Sequence, residues 1–349
     1  TAASYSMLDA LVFRPYPVPR PGDVMTLVST SRESAIESFS HREYRDIQRA
    51  STSYQDVVAS GAVLSVGYSP DAKVTPRVQG GMLVSGNYFK VLDVEPHIGR
   101  GFRADEDEVP GRDAVVVLGH GFWEREFASD PAAVGRNIRL NGRDFTVIGV
   151  APRSFPGMFI FSRNDFFIPL AMARLFMADP QRDVLEDRAA REFTLRARLA
   201  PHTTIAQARS ELAGIVAGFA QADPRQYRDR GASVHTQFEM RTQADDINWK
   251  FGLIFTILGL STLLVACTNV AGLLLSRARA RTREIAVRLA LGAGRERLVR
   301  FLMTESLILA GLGGLAGIAV GYGAIALLQR FSIPSDLPIT VPFRMDTRV

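Results

Sequence analysis

Two long stretches of the chain carry no charge, and they set its first division. Phe251–Ser276 holds 26 consecutive uncharged residues and Ser306–Gln329 holds 24. A hydrocarbon core about 30 Å thick needs about 20 helical residues, so spans are predicted at about 251–276 and 306–329. Upstream, the pattern has the shorter periods of a mixed globular domain. Asn137–Val150 alternates apolar and polar positions on either side of Asn141-Gly142. That dipeptide favours the type I′ turn that matches strand twist, and the segment reads as a hairpin. Ala114–Leu118 is a short apolar strand candidate, and Glu192–Leu199 alternates as a strand. Ser40 with Glu43 forms a capping-box pattern that opens a helix toward Ser53. His120–Ala128 reads as a short amphipathic helix with Phe122, Trp123 and Phe127. Thr204 with Gln207 opens another helix, to Phe219, with Ile205, Ala208, Leu212, Ile215 and Phe219 on one face. The predicted architecture is an α+β extracytoplasmic domain over residues 1–250, followed by transmembrane α-helices over 251–349.

The segment between the runs, 277–305, is rich in arginine: Arg277, Arg279, Arg281, Arg283, Arg288, Arg295, Arg297 and Arg300. Short loops rich in Lys and Arg stay on the cytoplasmic side, which puts residues before Phe251 outside the cytoplasm. A domain of that size outside needs a span or export signal upstream of Thr1, so the sequence is expected to be a piece of a longer protein. Within the loop, Thr282–Leu291 can form a short helix with Ile285, Ala286 and Leu289 on one side. Gly292-Ala293-Gly294 breaks it, since glycine readily takes the positive φ of a helix terminus, and a second helix runs from Arg295 into the membrane. Gly313, Gly317 and Gly321 recur every fourth residue, a spacing that lets another helix backbone approach closely. Neither run carries a mid-span acid or base of the kind an ion pathway needs, which disfavours a secondary transporter.

Composition changes this picture little. The 349 residues suit two domains, and the net charge of +5 could suggest nucleic acid. The densest arginine cluster, however, lies between the apolar runs, where membrane topology accounts for it, so no nucleic acid is expected. The single cysteine, Cys267, allows no intrachain disulfide and no Cys-based zinc site. The acidic run in Ala104–Gly111 (Asp105, Glu106, Asp107, Glu108) lacks the glycine-punctuated ligand pattern of a calcium loop and reads as a solvated turn. Ala178–Arg191 reads as a charged loop. The five histidines (His41, His97, His120, His202, His235) are scattered, and there is no GxxxxGK[ST], HExxH or GxSxG motif. No catalytic residue, cofactor or metal site is predicted, and the chain is not expected to be an enzyme.

Arg283–Leu307 resembles the signature of the FtsX-like permease domain of MacB-type ABC transporters, in Arg283-Glu284, Ala290-Leu291-Gly292-Ala293 and Glu305. Upstream, the chain resembles the MacB-type periplasmic core domain. The matching stretches are Val84-Ser85-Gly86-Asn87-Tyr88-Phe89, Gly99-Arg100-Gly101-Phe102, Val116–Leu118 with Phe122-Trp123, Gly135–Val150 with Ala151-Pro152, and Arg198-Leu199-Ala200-Pro201 to Ala208. His202 stands where the family usually has glycine. The resemblance implies a multi-pass protein of the bacterial inner membrane with one span, a periplasmic domain and three further spans. It implies a permease subunit that couples ATP hydrolysis, by a separate ABC ATPase that binds the ATP, to motion of the periplasmic domain. Export or extraction of a substrate would follow. The alternative within the family is an FtsX-like signal relay or scaffold acting on a periplasmic partner. The implied ATPase-coupling residues are Arg283, Glu284, Arg288, Gly292, Gly294 and Glu305, and the implied packing face is Gly313, Gly317 and Gly321. A homodimer or duplicated pseudo-dimer and a periplasmic adaptor are the other partners the resemblance implies.

Overall fold

The structure is a computed structural model that describes residues 15–158, 164–177, 182–240, 242 and 246–290, with 296, 300 and part of 303–323 beyond them. The chain separates into two compact units, one of them Pro15–Asp245 and the other containing the helical region from Asp246.

Ten strands build the first unit: β1 Val24–Thr30, β2 Tyr54–Ser69, β3 Arg77–Val84, β4 Ile98–Gly99, β5 Val115–Leu118, β6 Asn137–Leu140, β7 Arg143–Val150, β8 Phe166–Pro169, β9 Thr194–Leu199 and β10 Gly231–His235. Six helices accompany them: α1 His41–Ala50, α2 Tyr88–Val91, α3 His120–Phe127, α4 Ala173–Phe176, α5 Ile205–Ala222 and α6 Gln237–Glu239. The predicted α+β character of this unit is what the strands and helices form. Both predicted capping boxes are made: Ser40 Oγ accepts from the Glu43 amide, and Thr204 from the Gln207 amide. At the predicted hairpin, Asn141 and Gly142 take φ of 46° and 81°, and Leu140 pairs with Arg143.

The strand order is β10-β1-β9-β2-β3-β8-β5-β7-β4, with β6 pairing both β2 and β7. Those two pairings of β6 close the loop β2-β3-β8-β5-β7-β6 into a six-stranded ring, while β9, β1 and β10 extend from it as an open sheet. One strand serves both. The first part of β2 pairs with β9, its register with β3 slips between Val63 and Val66, and its end, Tyr68 and Ser69, pairs with β6. A bulge bends and twists a strand, which lets β2 leave the open sheet and turn into the ring.

Alternation tells which side of the ring is inside. Along β7, Asp144 and Thr146 are exposed, whereas Phe145 and Val147 are fully buried. The same inner set includes Tyr68, Leu83, Val116, Leu118, Ile138, Leu140, Phe166 and Ile168. Phe122 of α3 joins them edge-on, 4.9 Å from the Tyr68 ring and 4.6 Å from the Phe166 ring. A small barrel is filled by its own side chains, and this ring encloses a packed core of such residues. A second core lies on the opposite face, where Tyr88, Phe89, Phe155 and Phe167 pack ring against ring.

The acidic run departs from its expected role as a solvated turn. Glu106 is buried, paired with Arg100 at 2.6 Å and accepting the Arg103 amide at 2.8 Å. Asp107 accepts the amides of Gly86 and Ala171 at 2.9 and 2.8 Å. The partners of Asp107 come from 21 and 64 positions away, so the charges alone gave no sign of its role. In the charged loop, Arg191 bonds Glu43, Arg188 bonds Asp46 and Arg174 bonds Asp183, which staples it onto α1 and α4; its positions 178–181 lie outside the described residues.

The second unit holds α7, Asp246–Ala290, a single helix of 45 residues. The short helix expected from Thr282 is therefore a continuation of the first predicted span. Nothing between Ser276 and Ala290 is glycine or proline, and its Ala, Arg and Leu are strong helix formers.

Candidate functional site

α7 carries three of the predicted coupling residues, Arg283, Glu284 and Arg288. At about 1.5 Å per residue, 45 residues make a rod about 67 Å long. Thr256–Arg277, with a mean hydropathy of 2.0, is long and apolar enough to cross a membrane, and its outward Leu258, Leu264, Leu273 and Leu275 are exposed. The rest of the helix, to Ala290, continues about 20 Å past Arg277 at the same rise.

Arg283, Glu284 and Arg288 all lie on this continuation. Arg277, Arg281, Glu284 and Arg288 fall at steps of four, three and four, which puts them on one face of the helix. Arg277 and Arg279 are exposed. Gly292, Gly294 and Glu305 lie outside the described residues, as does Gly321. Gly313 and Gly317 are both helical, one turn apart, with open space where a side chain would stand. The second predicted run is described only in part, with 310–317 helical.

In the Pro15–Asp245 unit the motifs behind the resemblance turn out to be joints of the scaffold. Ser85 Oγ accepts from the Ala59 amide at 3.1 Å and donates to Asn87 Oδ1 at 2.7 Å, and Asn87 Nδ2 donates to the Val57 carbonyl at 2.9 Å. Tyr88 and Phe89 anchor the second core. Arg100 holds Glu106, and Phe102 stacks 5.8 Å from Phe89. These residues hold the scaffold together through hydrogen bonds, one ion pair and ring contacts.

The structure brings His97 to the pair His120 and Trp123, with ring centroids 5.2 to 5.6 Å apart. His120 Nδ1 lies 3.3 Å from the Ala151 carbonyl oxygen and Nε2 3.5 Å from Glu124. Among the described residues no group of three or more His, Cys, Asp or Glu could hold a metal. His41 and His235 are each held in the neutral form more strongly than usual, chiefly by burial.

Sequence reading missed one local signature. Thr236 and Glu239 form a capping box around α6, just ahead of α7. The pattern Thr-x-x-Glu was legible there, but no apolar run followed to draw attention to it.

Family comparison settles what this arrangement belongs to. Residues 4–245 match the model of the MacB-like periplasmic core domain, and residues 256–345 match the FtsX-like permease C-terminal model. The chain belongs to the MacB-like permease family. It is 28% identical over 302 residues to the pyoverdine export ATP-binding/permease protein PvdT of Pseudomonas syringae, covering 81% of this chain and 43% of that protein. It is 24% identical over 308 residues to an ABC transporter permease, YknZ, of Bacillus subtilis, covering 87% of this chain and 70% of that one. The periplasmic region of MacB from Actinobacillus actinomycetemcomitans superposes with a TM-score of 0.45 at 14% identity, covering 66% of this chain and 95% of that structure. The chain spans less than half the length of the first PvdT and MacB relatives it matches. Its domain of the periplasmic core type is followed by at least one apolar helix.

Proposed function

We propose that this MacB-like chain is the membrane permease subunit of an ABC-type transporter that works by mechanotransmission. In this reading a separate ABC ATPase binds and hydrolyses ATP on the cytoplasmic side. Its motion is passed along α7 to the periplasmic domain, which then moves an exported or extracted substrate. The observation that carries the reading is the continuity of α7 from Asp246 to Ala290. One helix runs through the apolar segment and on to the arginine-rich continuation that carries Arg283, Glu284 and Arg288. A helix without a break transmits displacement as a rod, whereas a flexible loop at Arg277 would absorb it. The filled ring supports the same reading from the other side, since a packed barrel offers a substrate no path through its interior.

In the same reading the protein is a multi-pass subunit of the bacterial inner membrane, with two copies of the permease half in the working unit and a periplasmic adaptor as a further partner. Arg283, Glu284, Arg288, Gly292, Gly294 and Glu305 serve ATPase coupling in it, and Gly313, Gly317 and Gly321 serve helix packing. The test is co-purification of the full-length protein with its ATPase, followed by hydrolysis assays. Glu284→Ala and Gly292→Val are expected to weaken ATPase binding and stimulated hydrolysis. Unchanged binding and unchanged stimulation in both variants would remove the coupling role. A periplasmic hydrolase activated by the complex, with no substrate moved, would favour the FtsX-like relay instead.

A further inference from the structure

The two ends of the Pro15–Asp245 unit lie against each other, and polar contacts tie them. The Tyr16 amide donates to Gln237 Oε1 at 2.7 Å, across 221 positions of sequence. The Tyr16 ring is buried, its hydroxyl lies 3.3 Å from Thr26 Oγ1, and the Arg196 guanidinium sits 5.5 Å from the ring centroid. Arg198 of the same strand, β9, donates to the Pro19 carbonyl at 3.2 Å. The outgoing end is held as firmly. Glu239 accepts the Thr236 amide at 2.8 Å and both its oxygens accept from Arg209 Nη2, at 2.9 and 2.8 Å. Arg209, on α5, also donates through Nε to the Val234 carbonyl at 2.8 Å.

This amount of fixing is unusual for a chain end. α6 spans three residues and buries none of them, so hydrogen bonds and one ion pair hold it in place of packing. Domain ends fray unless tied down. Here β10 is an edge strand, paired among the described residues with β1 alone, through Thr26↔His235 to Thr30↔Gly231. Asp246, the first residue of α7, follows Glu239 by seven positions. Any pull along α7 therefore arrives first at α6 and β10, and a pull on an edge strand held by one ladder peels it open one bond at a time.

We propose that Tyr16, Gln237, Glu239 and Arg209 form a clasp that makes the incoming and outgoing connections of the domain one mechanical joint. Displacement of α7 then reaches β9, through Tyr16 and Arg196, and α5, through Arg209, together, and β10 is not peeled from β1. The clasp rests on the mechanotransmission reading and names the residues through which the motion enters the domain.

The experiment uses the full-length protein reconstituted with its ATPase, in a Cys267→Ser background, with spin labels at Asp144 on the β6–β7 hairpin and Leu264 in α7. Wild type is expected to show an ATP-dependent change in the distance between the labels. Gln237→Ala, which removes the acceptor of the Tyr16 amide from a turn with no fully buried residue, is expected to fold and melt like wild type yet lose more than half of that change. Exchange of the Tyr16 amide should quicken in the same variant. Gln237→Glu, which keeps an acceptor oxygen at the same reach, should restore both. If Gln237→Ala and Arg209→Ala each keep the full wild-type distance change, the clasp is overturned while the mechanotransmission reading stands. If wild type itself shows no ATP-dependent change, the mechanotransmission reading fails and takes the clasp with it.

Discussion

Gly86 and Asp107 meet so closely that the glycine's missing side chain is part of the contact. The Gly86 amide donates to Asp107 Oδ2 at 2.9 Å, and a Cβ on Gly86 would stand 2.8 Å from the Asp107 Cβ. Gly86→Ala must push the buried carboxylate off the amides of both Gly86 and Ala171. Overpacking of this kind costs about 2 kcal/mol, which in a domain of this size lowers the melting temperature by about 4–8 °C. Thermal unfolding of the full chain in detergent measures it, and an unchanged melting temperature would show that the loop gives way freely.

Asp107 also makes the domain sensitive to pH. Burial pushes its carboxyl up to about 6 from the usual 3.8, against the lowering pull of the Ala171 and Gly86 amides. The native state then holds this proton to higher pH than the unfolded chain does. The group's contribution to stability is fully present below about pH 4 and is lost as pH rises through about 6. Asp107→Asn removes that titration at the cost of one amide acceptor, a cost independent of pH. The stability of wild type relative to Asp107→Asn should therefore fall between about pH 4 and 7, by about 3 kcal/mol in all. A relative stability that stays level across that range would rule the titration out.

Glu43 and Arg191 form an ion pair in which the carboxylate is almost wholly enclosed, with its side chain 1% exposed. The same carboxylate accepts the Ser40 amide at 2.8 Å, closing the cap of α1. Glu43→Gln keeps an oxygen for the cap but leaves the guanidinium facing an amide, with Glu37 3.5 Å away as its remaining acid. Breaking one side of a buried pair costs about 3 kcal/mol or more. Equilibrium denaturation should show that loss, and Glu37→Gln, on a more exposed acid, should cost less.

Segments with one buried face were legible in the sequence, and segments with two were not. The β6–β7 hairpin and the α5 face announced themselves because polar and apolar positions alternate where one side meets water. In α5, Ala208 and Leu212 are buried as expected, while Val216 takes the fully buried place given to Ile215. β2 and β8 gave no such signal. Every residue of β8 is buried, and β2 has neighbours on both sides and core on both faces through Val57, Val58 and Ala59. A strand buried on both faces loses its period. The residues that the resemblance implies for coupling could be put on a helix in advance only up to Arg288, and that this helix continues the apolar segment without a break was not foreseen. The clasp was not legible either, because Tyr16 and Gln237 meet only when β1 and β10 pair.

The rod-like action of α7 can be tested at one position. Ala280 lies on the continuation beyond Arg277, outside Thr256–Arg277. Ala280→Pro removes a hydrogen bond and clashes with the preceding turn, which costs about 3 kcal/mol and kinks or breaks the helix. Ala280→Gly costs only about 1 kcal/mol and leaves the helix continuous. Neither touches the apolar segment, so insertion and expression should match wild type in both. If displacement travels along α7, Ala280→Pro should bind the ATPase yet lose most of the ATP-dependent label movement, and Ala280→Gly should keep it. Equal movement in the two variants would mean that the motion reaches the periplasmic domain by another element, and α7 would then be an anchor with an arginine-rich end.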